Sequence, residues 1–212
     1  MAFIEVIWTK TKSINIREYA SCFVFNKPTI DLSSLSPKRR EWIEKEIVSC
    51  ILEDLDETWE QDEWDTALSK INKGVYVITL SGNICIQYPN KESQVVYIAR
   101  GKIRSRIKIH LTNWVTHFSE SLHDIKFQIW MTQIKIPGAP NAFKDVEADL
   151  IEIFEEEYGD IPIQNSKGGN YHNKDHHYNS EWKMPLKVDP STNSGWCITP
   201  MPDNEWFSEI EE

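Results

Sequence analysis

No run in this 212-residue chain approaches the roughly 18 consecutive apolar residues that a membrane-spanning helix needs, which leaves no candidate for one. The apolar stretch at the N-terminus, "FIEVIW", contains Glu5 and has no basic residues before it, so it does not read as a secretory signal. Cysteine is sparse: Cys22, Cys50, Cys85 and Cys197 lie far apart with no C-x-x-C pair. That spacing argues against a disulfide framework and a zinc finger, and it predicts free thiols in a reducing, cytoplasmic setting. Positive charge is also short, with 23 Lys and Arg against 33 Asp and Glu and a formal net charge of -10. Such a balance excludes general affinity for nucleic acid, which is largely electrostatic. Internal repeats and low-complexity linkers are missing as well.

The charge that is present is unevenly placed. "DLDETWEQDEWD", Asp54 to Asp65, holds seven acidic residues and no basic one. From Arg100 to Lys108 the balance inverts, with five basic residues and no acidic one, directly after the apolar run "VVYIA". A buried strand thus leads into a basic helix inside an acidic protein.

Three units are expected along the chain: a mainly helical, acidic segment at 1–72, an α+β domain at 73–172, and an irregular extension at 173–212 that packs back through its tryptophans. In the first unit "FIEVIW" and "SCFVFN" read as short strands. "SPKRREWIEKEIVSCILEDL" reads as a helix with Ser36 as N-cap, Pro37 at the first position and an apolar stripe at Ile43, Ile47, Cys50, Ile51 and Leu55. A second acidic helix is expected to run on to about Lys70. In the central unit "GVYVITL", "ICIQY", "QVVYIA" and "KFQIWMTQIKI" read as strands. A basic helix is expected from Lys102 to Phe118 with Ile107, Leu111, Trp114, Val115 and Phe118 as its buried face. The segment "FKDVEADLIEIFEEEYG" is expected as a helix closed by Gly159.

A few residues fit a core badly. Projected at 100° per residue, Val146, Leu150, Ile151, Phe154 and Tyr158 form an apolar arc, and Glu147 falls within it. A buried carboxylate needs a cation, either Arg or Lys in a salt bridge or a metal ion. On the basic helix Arg106, His110, Asn113 and His117 line a polar stripe, and Tyr76 and Tyr97 place phenols on neighbouring strands.

Taken in order, "GVY" (Gly74 to Tyr76), "YIA" (Tyr97 to Ala99), "RIKIH", "EADLI" and "PIQN" resemble the GIY-YIG endonuclease family, most closely its restriction-enzyme branch. The resemblance covers about half the chain, 73–172. Ala99 stands where the family has glycine, and "SGNICIQYPNKES" lengthens the gap between the two tyrosines as an inserted hairpin would. What the resemblance implies is a mostly antiparallel three-stranded sheet flanked by helices, and metal-dependent hydrolysis of DNA phosphodiesters. By the same resemblance Glu147 would hold Mg²⁺ or Mn²⁺, and Arg106 would clamp the phosphate. Tyr76, with Tyr97 or His110, would activate water, and Asn165 would orient the site. Arg100, Lys102, Arg104 and Lys108 would hold the DNA backbone. The alternative is a catalytically inert domain of this fold that binds nucleic acid or a protein.

The acidic N-terminal unit reads by default as a solvated face, with the alternatives that it screens and restrains the basic groove, completes the core or makes a dimer interface. "YHNKDHHYN", with His172, His176 and His177, reads as a solvated or DNA-contacting loop in preference to a zinc site, since no cysteine accompanies it.

Overall fold

The computed structural model describes residues 2–23, 35–115, 125–169, 176–187 and 195–201. The class is α+β, with an antiparallel central sheet. Strand β3 (Gly74–Ser81) runs at its centre, flanked by β6 (Val95–Gly101) and β7 (Lys126–Gln133), both antiparallel to it. Those are the three expected strands. A fourth, β2 (Thr9–Lys10), pairs with β7 and comes from the N-terminal segment, giving the order β2-β7-β3-β6. The N-terminal residues therefore share both the sheet and one continuous hydrophobic core with the central unit.

Helix α1 (Ile16–Ser21) lies just before the expected strand "SCFVFN" and overlaps it at Ser21. Its cause is local: the Asn15 side chain accepts the Arg17 backbone N–H at 3.0 Å and opens the helix. Only Ser21 to Phe23 of "SCFVFN" fall within the described residues, and they close this helix. Helix α2 (Pro37–Gln61) starts at Pro37 as expected, although the Ser36 side chain makes no capping bond. It buries Ile43, Ile47, Val48, Ile51, Leu52, Leu55 and Trp59, while Cys50 is only half-buried.

The second acidic helix is not formed. The acidic run is the last part of α2, which stops at Asp62, and Glu63 takes a left-handed turn with φ of 56°. Trp64 stacks on Trp59 at 4.5 Å, and the Trp59 indole donates to the Thr66 carbonyl. Two interlocked tryptophans thus fold the chain back before a 3-10 turn at Leu68–Lys70.

The expected hairpin after β3 is present as β4 (Ile84–Gln87) and β5 (Glu92–Ser93). Buried Tyr88 anchors it by donating to the Val95 carbonyl and accepting the Ile163 N–H. Helix α3 (Ile103–His110) is shorter than expected and passes directly into a π-helical turn at Leu111–Val115; Phe118 and His117 lie outside the described residues. Helix α4 (Ala142–Tyr158) ends at Gly159 in the left-handed conformation, φ 89°. The described part of the C-terminal extension packs back on the domain. Strand β8 (His176–Tyr178) pairs with β1 (Ala2–Ile4), β9 (Trp196–Ile198) pairs with β4, and the Trp8 indole donates to the Trp182 carbonyl. The four cysteines are free. No helix among the described residues is long and apolar enough to cross a membrane.

Candidate active site

Strand register brings the two tyrosines together. Tyr76 pairs with Ala99, and Ile78 with Tyr97, so both phenols lie on one sheet face, one diagonal step apart. Their ring centroids are 6.2 Å apart. Ala99, directly opposite Tyr76, is buried and sits in extended strand, where alanine meets no left-handed strain. The left-handed residue is Gly101, at φ 118°, where β6 breaks away toward α3. Gly74 has a different reason. A Cβ there would lie 2.3 Å from Ile103 Cδ1 and 2.8 Å from the Thr132 carbonyl oxygen, so only glycine lets the start of α3 press onto β3.

This close approach aims α3 along the tyrosine face. Arg106 Nε donates to the Tyr76 hydroxyl at 3.1 Å, and its Nη2 to the Tyr97 hydroxyl at 3.3 Å. One turn later His110 Nε2 lies 2.8 Å from the Tyr76 hydroxyl, with the ring 4.5 Å from that of Tyr97. One further turn on, the Trp114 indole N–H donates to His110 Nδ1 at 3.0 Å. Burial pushes the Tyr76 phenol above its ordinary range, against the pull of the Arg106 guanidinium. Burial also lowers the His110 pKa to about 4, and the charge of Arg106 adds to the effect. The imidazole is therefore neutral at pH 7.

Glu147 projects from α4, which packs on β6, with its side chain 14% exposed. Its Oε2 accepts from Arg100 Nη1 at 2.6 Å, and the same nitrogen donates to the Lys144 carbonyl. Burial raises the Glu147 pKa, while Arg100 and then Arg106 pull it down, and burial prevails. The cation this residue requires is thus Arg100, with Arg106 close enough to contribute.

Two residues expected to grip a DNA backbone are occupied by carboxylates. Arg100 is bound to Glu147, and Arg104 Nε donates to Asp56 of α2 at 2.8 and 3.1 Å. Lys102 and Lys108 are exposed, and neither makes an ion pair among the described residues. Asn165 does not join the phenol cluster. Its amide grips the free edge of β6, accepting from Ile98 N at 3.0 Å and donating to Ile98 O at 2.8 Å, which steadies the backbone between Tyr97 and Ala99. Asn113 is exposed on the π-turn, and His172 lies outside the described residues. His177 is exposed, whereas His176 is bonded to Asp145 at 2.8 Å with both side chains buried. No group of three or more His, Cys, Asp or Glu among the described residues could by itself hold a metal ion.

Two partnerships escape sequence reading. Trp114 was expected only as part of a buried stripe, although its spacing of four from His110 is the signal that couples them. Asp145 is more buried than Glu147, and nothing in α4 alone points to its partner 31 positions away. No family model, no curated protein and no solved structure matches this chain.

Proposed function

We propose that this protein is a metal-dependent DNA endonuclease. The observation that carries the reading is the convergence of Arg106 on both phenols, beside a largely sheltered carboxylate that feels the same guanidinium. Phosphodiester hydrolysis joins a water oxygen to phosphorus, breaks one P–O bond and builds negative charge on the non-bridging oxygens. Arg106 is fixed by two hydroxyls and still exposed, so it can bind those oxygens as their charge grows. After giving its own O–H proton to solvent, Tyr76 orients the attacking water and takes up its proton, and solvent protonates the leaving oxygen; burial opposes the ionised phenol, and the guanidinium favours it. Tyr97 holds the second nitrogen of the guanidinium. Asn165 acts at one remove, by fixing the strand that bears Tyr97.

Glu147 is a hard oxygen donor, as Mg²⁺ or Mn²⁺ requires. Mg²⁺ commonly takes one or two protein carboxylates and completes its shell with waters and substrate phosphates. A lone carboxylate with no preformed cage fits that habit and does not fit a resident structural metal. When bound, the cation supplies Lewis-acid charge at the scissile phosphate.

A second reading, an inert domain that binds nucleic acid or protein, is favoured by Arg100 and Arg104 being already paired with carboxylates. Incubation with supercoiled plasmid, in Mg²⁺ and in EDTA, separates the two. The endonuclease nicks or linearises DNA only with the metal, and Glu147→Ala and Arg106→Ala each abolish cleavage in a protein that stays folded. Full cleavage by both variants ends the proposal. Intact plasmid together with salt-sensitive binding supports the inert module.

A further inference from the structure

The hydrogen bonds around His110 determine which ring nitrogen carries its proton. An indole N–H can only donate, so the 3.0 Å contact from Trp114 Nε1 requires Nδ1 of His110 to accept. A neutral imidazole has one donor and one acceptor. Its proton is then on Nε2, and Nε2 donates to the Tyr76 oxygen across 2.8 Å. Arg106 Nε donates to the same oxygen at 3.1 Å. The Tyr76 oxygen therefore accepts from two sides, and its own O–H must point away from both.

We propose that Trp114 is a positioning residue that selects the Nε2–H tautomer of His110 and so makes His110 a donor to Tyr76 instead of an acceptor of its proton. With the opposite tautomer, Tyr76 would spend its O–H on the ring, and Nδ1–H would face the indole N–H, donor against donor. With the selected one, the phenol proton points away from both His110 and Arg106, and loss of that proton leaves an oxygen already held by two N–H groups. Trp114 is placed to do this. It lies in the π-helical turn, a deviation common beside functional sites, and packs edge-on against Phe127 (6.2 Å) and His110 (6.0 Å). The use of this arrangement in catalysis rests on the endonuclease reading; the tautomer itself does not.

The test is ¹⁵N-resolved NMR of the histidine side chains in EDTA at pH 7.5, with His110 assigned through His110→Gln. The wild-type protein shows His110 with the proton on Nε2. Trp114→Phe keeps an aromatic ring but removes the N–H, and the ratio shifts toward the Nδ1–H form by about five- to tenfold, as expected for one ordinary hydrogen bond. If Trp114→Phe disturbs folding, benzothienylalanine at position 114 removes the N–H without changing shape. A wild-type Nδ1–H tautomer, or an unshifted ratio in the folded variant, overturns the proposal. Failure of the wild-type protein to cut plasmid removes the endonuclease reading and leaves the tautomer result standing.

Discussion

The Arg100–Glu147 pair allows the cost of the site to be measured. The bond is short, at 2.6 Å, and both side chains are largely sheltered, with exposures of 24% and 14%. Taken alone it reads as a stabilising salt bridge, and replacing Glu147 with Gln would forfeit a charge-assisted hydrogen bond worth roughly 1.5–3 kcal/mol. Yet the carboxyl pKa is raised, so burial costs the ionised form more than Arg100 and Arg106 return. A group whose pKa is raised on folding contributes fully below its unfolded value, and that contribution is lost as pH rises through the folded one. At neutral pH ionised Glu147 therefore opposes folding.

Glu147→Gln should accordingly change stability by no more than about 1 kcal/mol, on the stabilising side, moving Tm upward by about 2–4 °C at most. The gap over wild type should widen as pH rises through the folded carboxyl pKa and stay constant above it. Arg100→Gln is the opposite case, since it strips a sheltered carboxylate of its nearest counter-charge. Breaking a buried pair from one side costs roughly 3–5 kcal/mol. Partial exposure and the remaining Arg106 reduce that to about 2–3 kcal/mol. The double variant should recover most of the loss, a coupling that a double-mutant cycle reads directly. Urea denaturation in EDTA measures all three. Loss of more than about 2 kcal/mol in Glu147→Gln, equal to that in Arg100→Gln, would falsify the reasoning and make the pair an ordinary structural bridge.

Three further outcomes follow from the geometry. Gly74→Ala drives a Cβ to within 2.8 Å of the Thr132 carbonyl, which as backbone cannot step aside, so the unfolding free energy from urea titration should fall by about 2–3 kcal/mol at unchanged slope. Asn165→Ala removes both bonds to Ile98 and should cost about 1–2 kcal/mol, with hydrogen exchange at the Ile98 amide accelerated more than in β3. For His110, the unfolded ring protonates before the folded one as pH falls, so its stabilising contribution holds above about pH 6.5 and is lost toward pH 4. At about 1.36 kcal/mol per pH unit, halved for solvent screening, that loss is about 1–2 kcal/mol. His110→Gln should flatten this part of the thermal stability profile, and an unchanged profile would contradict a buried neutral ring.

Much of the central unit was legible because its signals are local. A continuous apolar run set β3, near-alternation set β7, "SGN" marked the turn out of β3, and Gly159 closed α4 where a left-handed residue was needed. Glu147 stood out because a carboxylate in an apolar arc violates the pattern around it. What stayed hidden depends on contacts distant in sequence. The β2–β7 pairing, spanning more than a hundred residues, turned a three-stranded expectation into four strands. Two stacked tryptophans ended α2 although the acidic residues beyond it have no strong helix-breaking sequence. A carboxylate's partner cannot be read from its own helix. Asp145 found His176, and Glu147 found Arg100, each through tertiary packing alone.

The same distinction revises the meaning of the basic stretch after β6. Five positive residues in an acidic chain suggest a surface prepared for phosphate, but folding assigns them different tasks. Arg100 holds the carboxylate of α4, Arg104 bonds to the acidic helix α2, and Arg106 ties two phenols together. Among these five, Lys102 and Lys108 are exposed and take part in neither an ion pair nor the phenol cluster among the described residues. Most of the local charge is consumed in fixing the geometry of the site, which is what preorganisation requires: groups held before substrate arrives need no rearrangement when charge develops. On the proposed endonuclease reading, DNA would be recognised through the shape of the site and Arg106, with the lysines adding a weak, salt-sensitive attraction.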